Sequence, residues 1–318
     1  MGRPSYPQNI REFRKKFSTA TACLDYLAQC RWPDGFICPQ CLHSGGWLNS
    51  KRFVFECKHC GRQTSPMAGT IMHRSHIPIQ EWFWAAYLMA THTPGISAVQ
   101  LQRQLGIAGD TTAWHMLHRL RKGMVNEYRT QLSGIVEADE TFIGGPAKGK
   151  KGRGVIGADN KSLVIGAVEV VIYLDKKNQL REKAGRLRLA VILNADEKGI
   201  KKFMEENVES KTEVRSDGWK GYSESALKNY QHLRQVQGSP QKAHQLAPHI
   251  HRVFSNLKTW LNGTHHGVDP KYLQSYLDEF TFRFNRRQTP MAAFQTLLGI
   301  STQKSPLTMQ TLSNRSQP

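Results

Sequence analysis

No apolar run in these 318 residues approaches the roughly 18–20 residues needed to span a bilayer. The N-terminus, MGRPSYPQNIREFRKKF, lacks the apolar core of a secretory signal. Neither a P-loop nor an internal repeat is present, so ATP-driven chemistry and solenoid architectures have no support. These absences lead to the expectation of a soluble, intracellular protein. Acidic residues are also scarce: 25 Asp and Glu stand against 44 Lys and Arg, a formal charge of +19, and none occurs from Ser225 to Val268. Residues 1–132 carry 16 basic and 7 acidic side chains and residues 133–318 carry 28 and 18, so the basicity is spread along the chain rather than confined to a tail. Such an excess points to a polyanionic partner, with nucleic acid ahead of an acidic membrane surface.

Against that background the cysteines are conspicuous. Cys38-Pro-Gln-Cys41 and Cys57-Lys-His-Cys60 form two C-x2-C knuckles separated by fifteen residues, the spacing of a structural zinc site. Cys38, Cys41, Cys57 and Cys60 complete a four-thiolate shell without His43 or His59. An intracellular setting disfavours disulfides. Cys23 and Cys30 lie among Leu24, Tyr26, Leu27 and Trp32 and read as ordinary buried cysteines. A zinc ribbon is therefore expected within residues 1–70, a module that binds DNA, RNA or protein.

Residues 71–131 predict a small helical domain. Ile79–Thr91 is strongly apolar, residues 97–105 form a second helix with Ser97 as N-cap, and Thr111–Lys122 a third capped by Asp110 or Thr111. Two helices joined by Gly106-Ile-Ala-Gly109 suggest a helix-turn-helix. Trp114, Leu117 and Leu120 are expected inward, leaving His115, His118, Arg119, Arg121 and Lys122 for solvent or a DNA groove.

The remainder, residues 132–300 with a polar tail over 301–318, predicts a catalytic α/β domain. Strands are expected at Gly134–Ile143, Leu163–Leu174 and Gly185–Leu193, then a helix over Ala195–Val208 and a strand over Lys211–Ser216. That order is that of an RNase H-like fold, a mixed sheet flanked by helices. Within it Asp139 in the first strand and Asp217 at the end of the fourth would meet mid-sheet, where two carboxylates can hold Mg²⁺ for phosphodiester chemistry. Glu137 and Glu140 are weaker substitutes for Asp139. Lys148, Lys150, Lys151 and Arg153 form a basic loop suited to DNA.

Several segments resemble the DDE-type insertion-sequence transposases, specifically the zinc-ribbon group called the insertion-sequence fifteen-ninety-five (ISXO-two-like) family. They are Cys38-Pro-Gln-Cys41, Ala68-Gly-Thr70, Glu137-Ala-Asp-Glu-Thr-Phe142 followed by Gly144-Gly145, and Ser216-Asp-Gly-Trp-Lys-Gly-Tyr222. The most specific run comprises Val253-Phe-Ser-Asn-Leu-Lys258, Leu261-Asn-Gly-Thr-His-His-Gly267, Tyr276-Leu-Asp-Glu-Phe280 and Arg283-Phe-Asn-Arg286. The resemblance covers nearly the whole chain in order. It implies an RNase H-like enzyme that binds the terminal inverted repeats of an insertion sequence, nicks the element ends and joins the freed 3′-OH to target DNA. It also implies catalytic Mg²⁺ or Mn²⁺, a homo-oligomer on DNA, and a place in the bacterial cytoplasm on the nucleoid.

The same resemblance places a third active-site residue, Glu, Asn or His, seven positions before a Lys. Counting back from Lys258 gives His251, and at 100° per residue the two fall within about 40° of one line on the helix His249–Asn262. Asn256 is the competing assignment. Lys258 would meet a DNA phosphate as a point charge. The missing third carboxylate keeps an alternative open, a non-catalytic DNA-binding regulator derived from such an enzyme. Residues 270–287 carry a stripe of Leu273, Leu277, Phe280 and Phe284, and Thr289-Pro290 starts a last helix.

Overall fold

The computed structural model describes residues 4–144, 161–217, 219–235, 247–308 and 311–312. The chain divides into two compact units: residues up to Asn126 joined by the segment that starts at Arg286, and Glu127–Asn285.

In the first unit, α1 (Ile10–Lys16) and α2 (Ala20–Arg31) begin at Asn9 and Thr19, whose side-chain oxygens accept first-turn N–H groups. A three-stranded antiparallel ribbon comes next, β1 (Gly46–Asn49), β2 (Val54–Cys57) and β3 (Gln63–Thr64). Helix α3 (Ile79–Thr91) is apolar nearly all round and buried accordingly. Helix α4 (Ala98–Leu105) starts on Ser97, whose Oγ accepts from the Gln100 N–H at 3.2 Å. Helix α5 (Asp110–Gly123) is capped by Gly109, with Asp110 as its first helical residue, one position earlier than the sequence suggested.

Helix α9 (Pro290–Ser301) packs on α3 and α5 rather than extending the sheet unit. Its apolar side chains Ala293, Phe294, Leu297 and Leu298 are buried, and the Phe294 ring lies 5.6 Å from that of Phe13 and 6.0 Å from that of Phe83. A Cβ at Gly123 would collide with Ser301 Oγ, so this close approach of α5 and α9 requires glycine. Residues to 300 were expected in the catalytic domain; this apolar helix finds its burial among the helices of the first unit instead.

The second unit is a five-stranded mixed sheet of β4 (Ile135–Ile143), β5 (Ser162–Leu174), β6 (Leu180–Ile192), β7 (Glu213–Asp217) and β8 (Gln231–Gln235). Their order is β6-β5-β4-β7-β8, with β5 antiparallel to both β4 and β6, and β7 and β8 parallel to β4. Helix α6 (Glu197–Asn207), capped by Asp196, links β6 to β7. Helices α7 (Pro248–His265) and α8 (Leu273–Phe284) precede α9. This is the strand and helix order read from the sequence, with two differences. Strand β6 starts at Leu180, forming with the exposed end of β5 a longer hairpin than expected. Strand β8, with the polar sequence QHLRQ, went unread because it is held by backbone pairing to β7 and lacks an apolar face.

Alternation along β4 builds a core on both faces. Val136 and Ala138 pack with Ile200, Phe203 and Met204 of α6. On the other face Val164, Val168, Leu187 and Leu189 pack with Ile250, Val253, Phe254 and Leu257 of α7 and Leu273 and Leu277 of α8. The edge of β6 is sealed by α8 and the residue that ends it. The Leu187 N–H donates to Asn285 Oδ1 at 2.7 Å and the Val191 N–H to Gln274 Oε1 at 2.9 Å, removing donors on which another strand could pair.

Candidate functional site

Strands β4 and β7 are neighbours in parallel register, with Glu137 opposite Arg215. Two residues further along both stand Asp139 and Asp217, so the sheet order itself brings these acids together. The Asp139 carboxyl is pushed up to about 7 by burial, against the opposing pull of the Glu140 backbone N–H at 2.8 Å and with the help of Asp217's charge. Glu140 is likewise raised to about 7, by burial first and then by Asp139 and Asp217. It lies on the opposite pleat, where the buried Tyr222 hydroxyl donates to its Oε2 at 3.1 Å. Asp217 Oδ1 accepts the Trp219 N–H at 3.0 Å.

Helix α7 supplies the facing residues. His251 Nδ1 lies 3.4 Å from Asp139 Oδ2, and Lys258 Nζ donates to Thr141 Oγ1 at 2.7 Å. Asp139 and Thr141 share one face of β4, and His251 and Lys258 share the face of α7 turned to it. Asn256 is solvent-exposed on the same helix. Glu137 accepts the backbone N–H groups of His249 and Ile250 on Oε2, at 2.8 and 3.0 Å. The sequence offered it only as a substitute for Asp139; the available signal was a helix beginning Ala247-Pro248, with no polar side chain of its own at the cap.

Hard carboxylate oxygens are the donors that Mg²⁺ or Mn²⁺ prefers, whereas the adjacent imidazole is a poor Mg²⁺ ligand. Asp139, Glu140 and Asp217 are all half-buried, and their mutual repulsion is the condition that a divalent cation relieves. Among the described residues, the four cysteines are the one group of three or more such ligands whose atoms all lie within 4.8 Å of one another; the acidic cluster is more open.

In the ribbon Cys38 Sγ lies 3.6 Å from Cys60 Sγ, and Cys41 Sγ lies 3.6 Å from Cys57 Sγ. Zn–S bonds of about 2.3 Å in a tetrahedron give S···S edges of about 3.8 Å, whereas a disulfide needs about 2.05 Å. The Cys41 backbone N–H draws the Cys38 thiol down to about 6. At Cys41 the His43 N–H favours the thiolate, but burial and the three neighbouring sulfurs raise it to about 12. Four sulfurs so crowded share negative charge readily only around a cation. Each knuckle closes through the same turn: Leu42 N–H donates to Cys38 O and Gly61 N–H to Cys57 O, with Leu42 and Gly61 both left-handed.

The third helix departs from expectation. His118 and Arg121, expected outward, are buried, while Trp114, expected inward, is only half-buried with its ring 4.0 Å from that of His118. Helix α5 is covered by α3, α4 and α9, so its buried stripe is wider than positions 114, 117 and 120. Arg119 donates to His73 O at 3.4 Å, and Lys122 to Ser305 Oγ at 3.0 Å. His115 is half-buried, and burial together with Arg119 lowers its pKa. Lys148, Lys150, Lys151 and Arg153 lie outside the described residues.

Comparison with known proteins bears on both units. Residues 131–285 match the family model described as an ISXO2-like transposase domain, and residues 18–63 match the transposase zinc-ribbon domain. The chain belongs to the ISXO2-like transposase family. Its transposase domain coincides with the five-stranded unit, and its zinc-ribbon match contains all four clustered cysteines, which together support a structural zinc. An uncharacterized protein in transposable element ISH50 of Halobacterium salinarum is 28% identical over 142 residues, covering 43% of this chain and 46% of the relative. The chain thus spans less than half the length of that relative. Among the described residues no helix is long and apolar enough to cross a membrane.

Proposed function

We propose that this transposase binds the terminal inverted repeats of its insertion sequence, cleaves DNA at the element ends and joins them to target DNA. The observation that carries the reading is the meeting of Asp139 and Asp217 at the centre of the sheet with His251 of α7 against Asp139. Asp139 and Asp217 would hold Mg²⁺ or Mn²⁺, with Glu140 adding its charge to the cluster. A divalent ion there supplies Lewis-acid stabilisation of charge developing on a phosphodiester. His251 bears on Asp139 and fixes the orientation of that carboxylate. Lys258, on the face of α7 turned to β4 and itself still exposed, offers a point charge to a DNA phosphate.

The ribbon is the DNA-contacting module under this reading, with His115, Arg119 and Lys122 of α5 and the basic side chains of Lys148, Lys150, Lys151 and Arg153 adding phosphate contacts. His118 is too buried to contribute without rearrangement. The protein works as a homo-oligomer that brings two DNA ends together. The net charge of +19 makes binding fall steeply with salt.

The test is a strand-transfer assay with the full-length protein, duplexes ending in the element's inverted repeats, a supercoiled target and Mg²⁺ or Mn²⁺. Joined products that require the repeat sequence are expected. Specific binding without cleavage or joining under either ion would identify a non-catalytic regulator, the reading that His251 in place of a third carboxylate otherwise favours.

A further inference from the structure

Helix α7 begins without a cap of its own. Its N-cap residue is Ala247, which makes no side-chain cap hydrogen bond, and its first position is Pro248, which has no N–H. The next two backbone donors, on His249 and Ile250, would be orphaned inside the protein, since both residues are buried. Both instead donate to a single carboxylate oxygen from another element, Oε2 of Glu137 in β4, at 2.8 and 3.0 Å. Glu137 is 0% exposed, and its negative charge sits at the positive end of the helix dipole. The charges of His249 and of Arg215, its register partner on β7, act on Glu137, but a fully buried carboxylate is still costly to keep, so its position calls for a reason.

The reason lies further along the two elements. Residues 137, 139 and 141 are successive positions on one face of β4, and α7 meets all three in order. Glu137 holds the helix start, Asp139 meets His251, and Thr141 receives Lys258. His251 comes directly after the two clamped amides. We propose that Glu137 is a positioning residue, a remote helix cap that sets the axial and rotational register of α7 and thereby seats His251 against Asp139. It touches neither DNA nor metal in this role. The link to catalysis rests on the transposase reading; the link to helix register does not.

Two measurements on the full-length protein test this separately. The variants are Glu137→Ala, Glu137→Gln, which keeps an acceptor oxygen, Glu137→Asp, which keeps the charge but is one methylene too short, and His251→Ala alone and combined with Glu137→Ala. The first readout is amide hydrogen exchange of peptides covering 248–254. Glu137→Ala and Glu137→Asp should speed exchange there by about tenfold, the scale of a lost cap, leaving peptides of α8 and the ribbon unchanged. Glu137→Gln should stay near wild type. The second readout is cleavage of an element-end oligonucleotide with Mn²⁺. Glu137→Ala should lower it by about a hundredfold, as expected for a misplaced active-site group, with Gln restoring most of it. The double variant should be no worse than His251→Ala.

Unchanged exchange at 248–254 in both Glu137→Ala and Glu137→Asp would overturn the proposal. So would a Gln variant as impaired as Ala, or losses that multiply in the double variant. If Glu137→Ala does not fold, Glu137→Asp against Glu137→Gln decides the matter on the same readouts. If wild type itself does not cleave, the transposase reading fails, while the exchange comparison still decides whether Glu137 holds the helix.

Discussion

His251 Nδ1 stands 3.4 Å from Asp139 Oδ2, across the gap between α7 and the central strand of the sheet. Seven residues along α7, Lys258 reaches Thr141 on the same strand face. The helix is thus laid along β4 so that one of its faces addresses the acid-bearing face of the strand. Asn256, between them in sequence, turns to solvent.

That geometry separates two substitutions. His251→Ala should reduce metal-dependent cleavage by about a hundredfold, since an oriented contact to a carboxylate of the proposed metal site is lost. Asn256→Ala should leave cleavage within about twofold, as expected for an exposed side chain away from the site. Single-turnover rates on a pre-formed protein–DNA complex provide the comparison. The reverse ranking would give the third position to Asn256.

Close approach of α7 to the sheet depends on Gly166, which pairs with Asp139 in the β4–β5 register. A Cβ there would stand 2.9 Å from Ile250 Cδ1, 2.9 Å from Leu189 Cδ2 and 3.0 Å from Phe254 Cε1. Gly166→Val should cost about 1–3 kcal/mol from overpacking, lowering the calorimetric Tm of the sheet unit by several degrees. It should also lower cleavage more than DNA binding, because the helix that is pushed outward carries His251. A variant with unaltered Tm and activity would show that α7 is not held at this distance.

How much of this could be read from the sequence varies with the physics behind each part. The four zinc-site cysteines were legible because tetrahedral coordination constrains spacing within a short stretch. The placement of Asp139 and Asp217 on neighbouring strands was legible because the order of strands and helix is written in apolar patterns. Strand β8 was not, since its stability comes from backbone pairing that leaves no side-chain pattern. The burial of His118 and Arg121 was hidden because α5 is covered by α9, which lies far away in sequence. Glu137 was visible as an acid of β4, but its bond to amides 112 and 113 residues away is a fact of tertiary structure.

Glu169 offers a pH test of the second unit. Burial opposes its ionisation, but the Arg186 side chain and the N–H groups of Ser133 and Arg186 outweigh it and hold the carboxyl below its ordinary 4.5. A lowered folded value means that ionisation favours folding. That stability is present above pH 4.5 and is lost as pH falls through the folded value. Because the Arg186 side chain is 38% exposed, solvent screening discounts the pair, and Glu169→Gln should cost about 2 kcal/mol at pH 7. The gap in Tm between wild type and variant should narrow as pH drops below 4.5. A gap that widens toward acid would reverse the sign assigned to this group.

The central claim is that Asp139 and Asp217 form the cleavage centre of a DNA transposase. Nicking of an element-end oligonucleotide by wild type, Asp139→Ala and Asp217→Ala, each with Mg²⁺, Mn²⁺ or chelator, tests it most directly. Metal-dependent nicking by wild type is expected, with loss of activity in both variants while each binds the same oligonucleotide as tightly as wild type. Retained nicking in either variant contradicts the account.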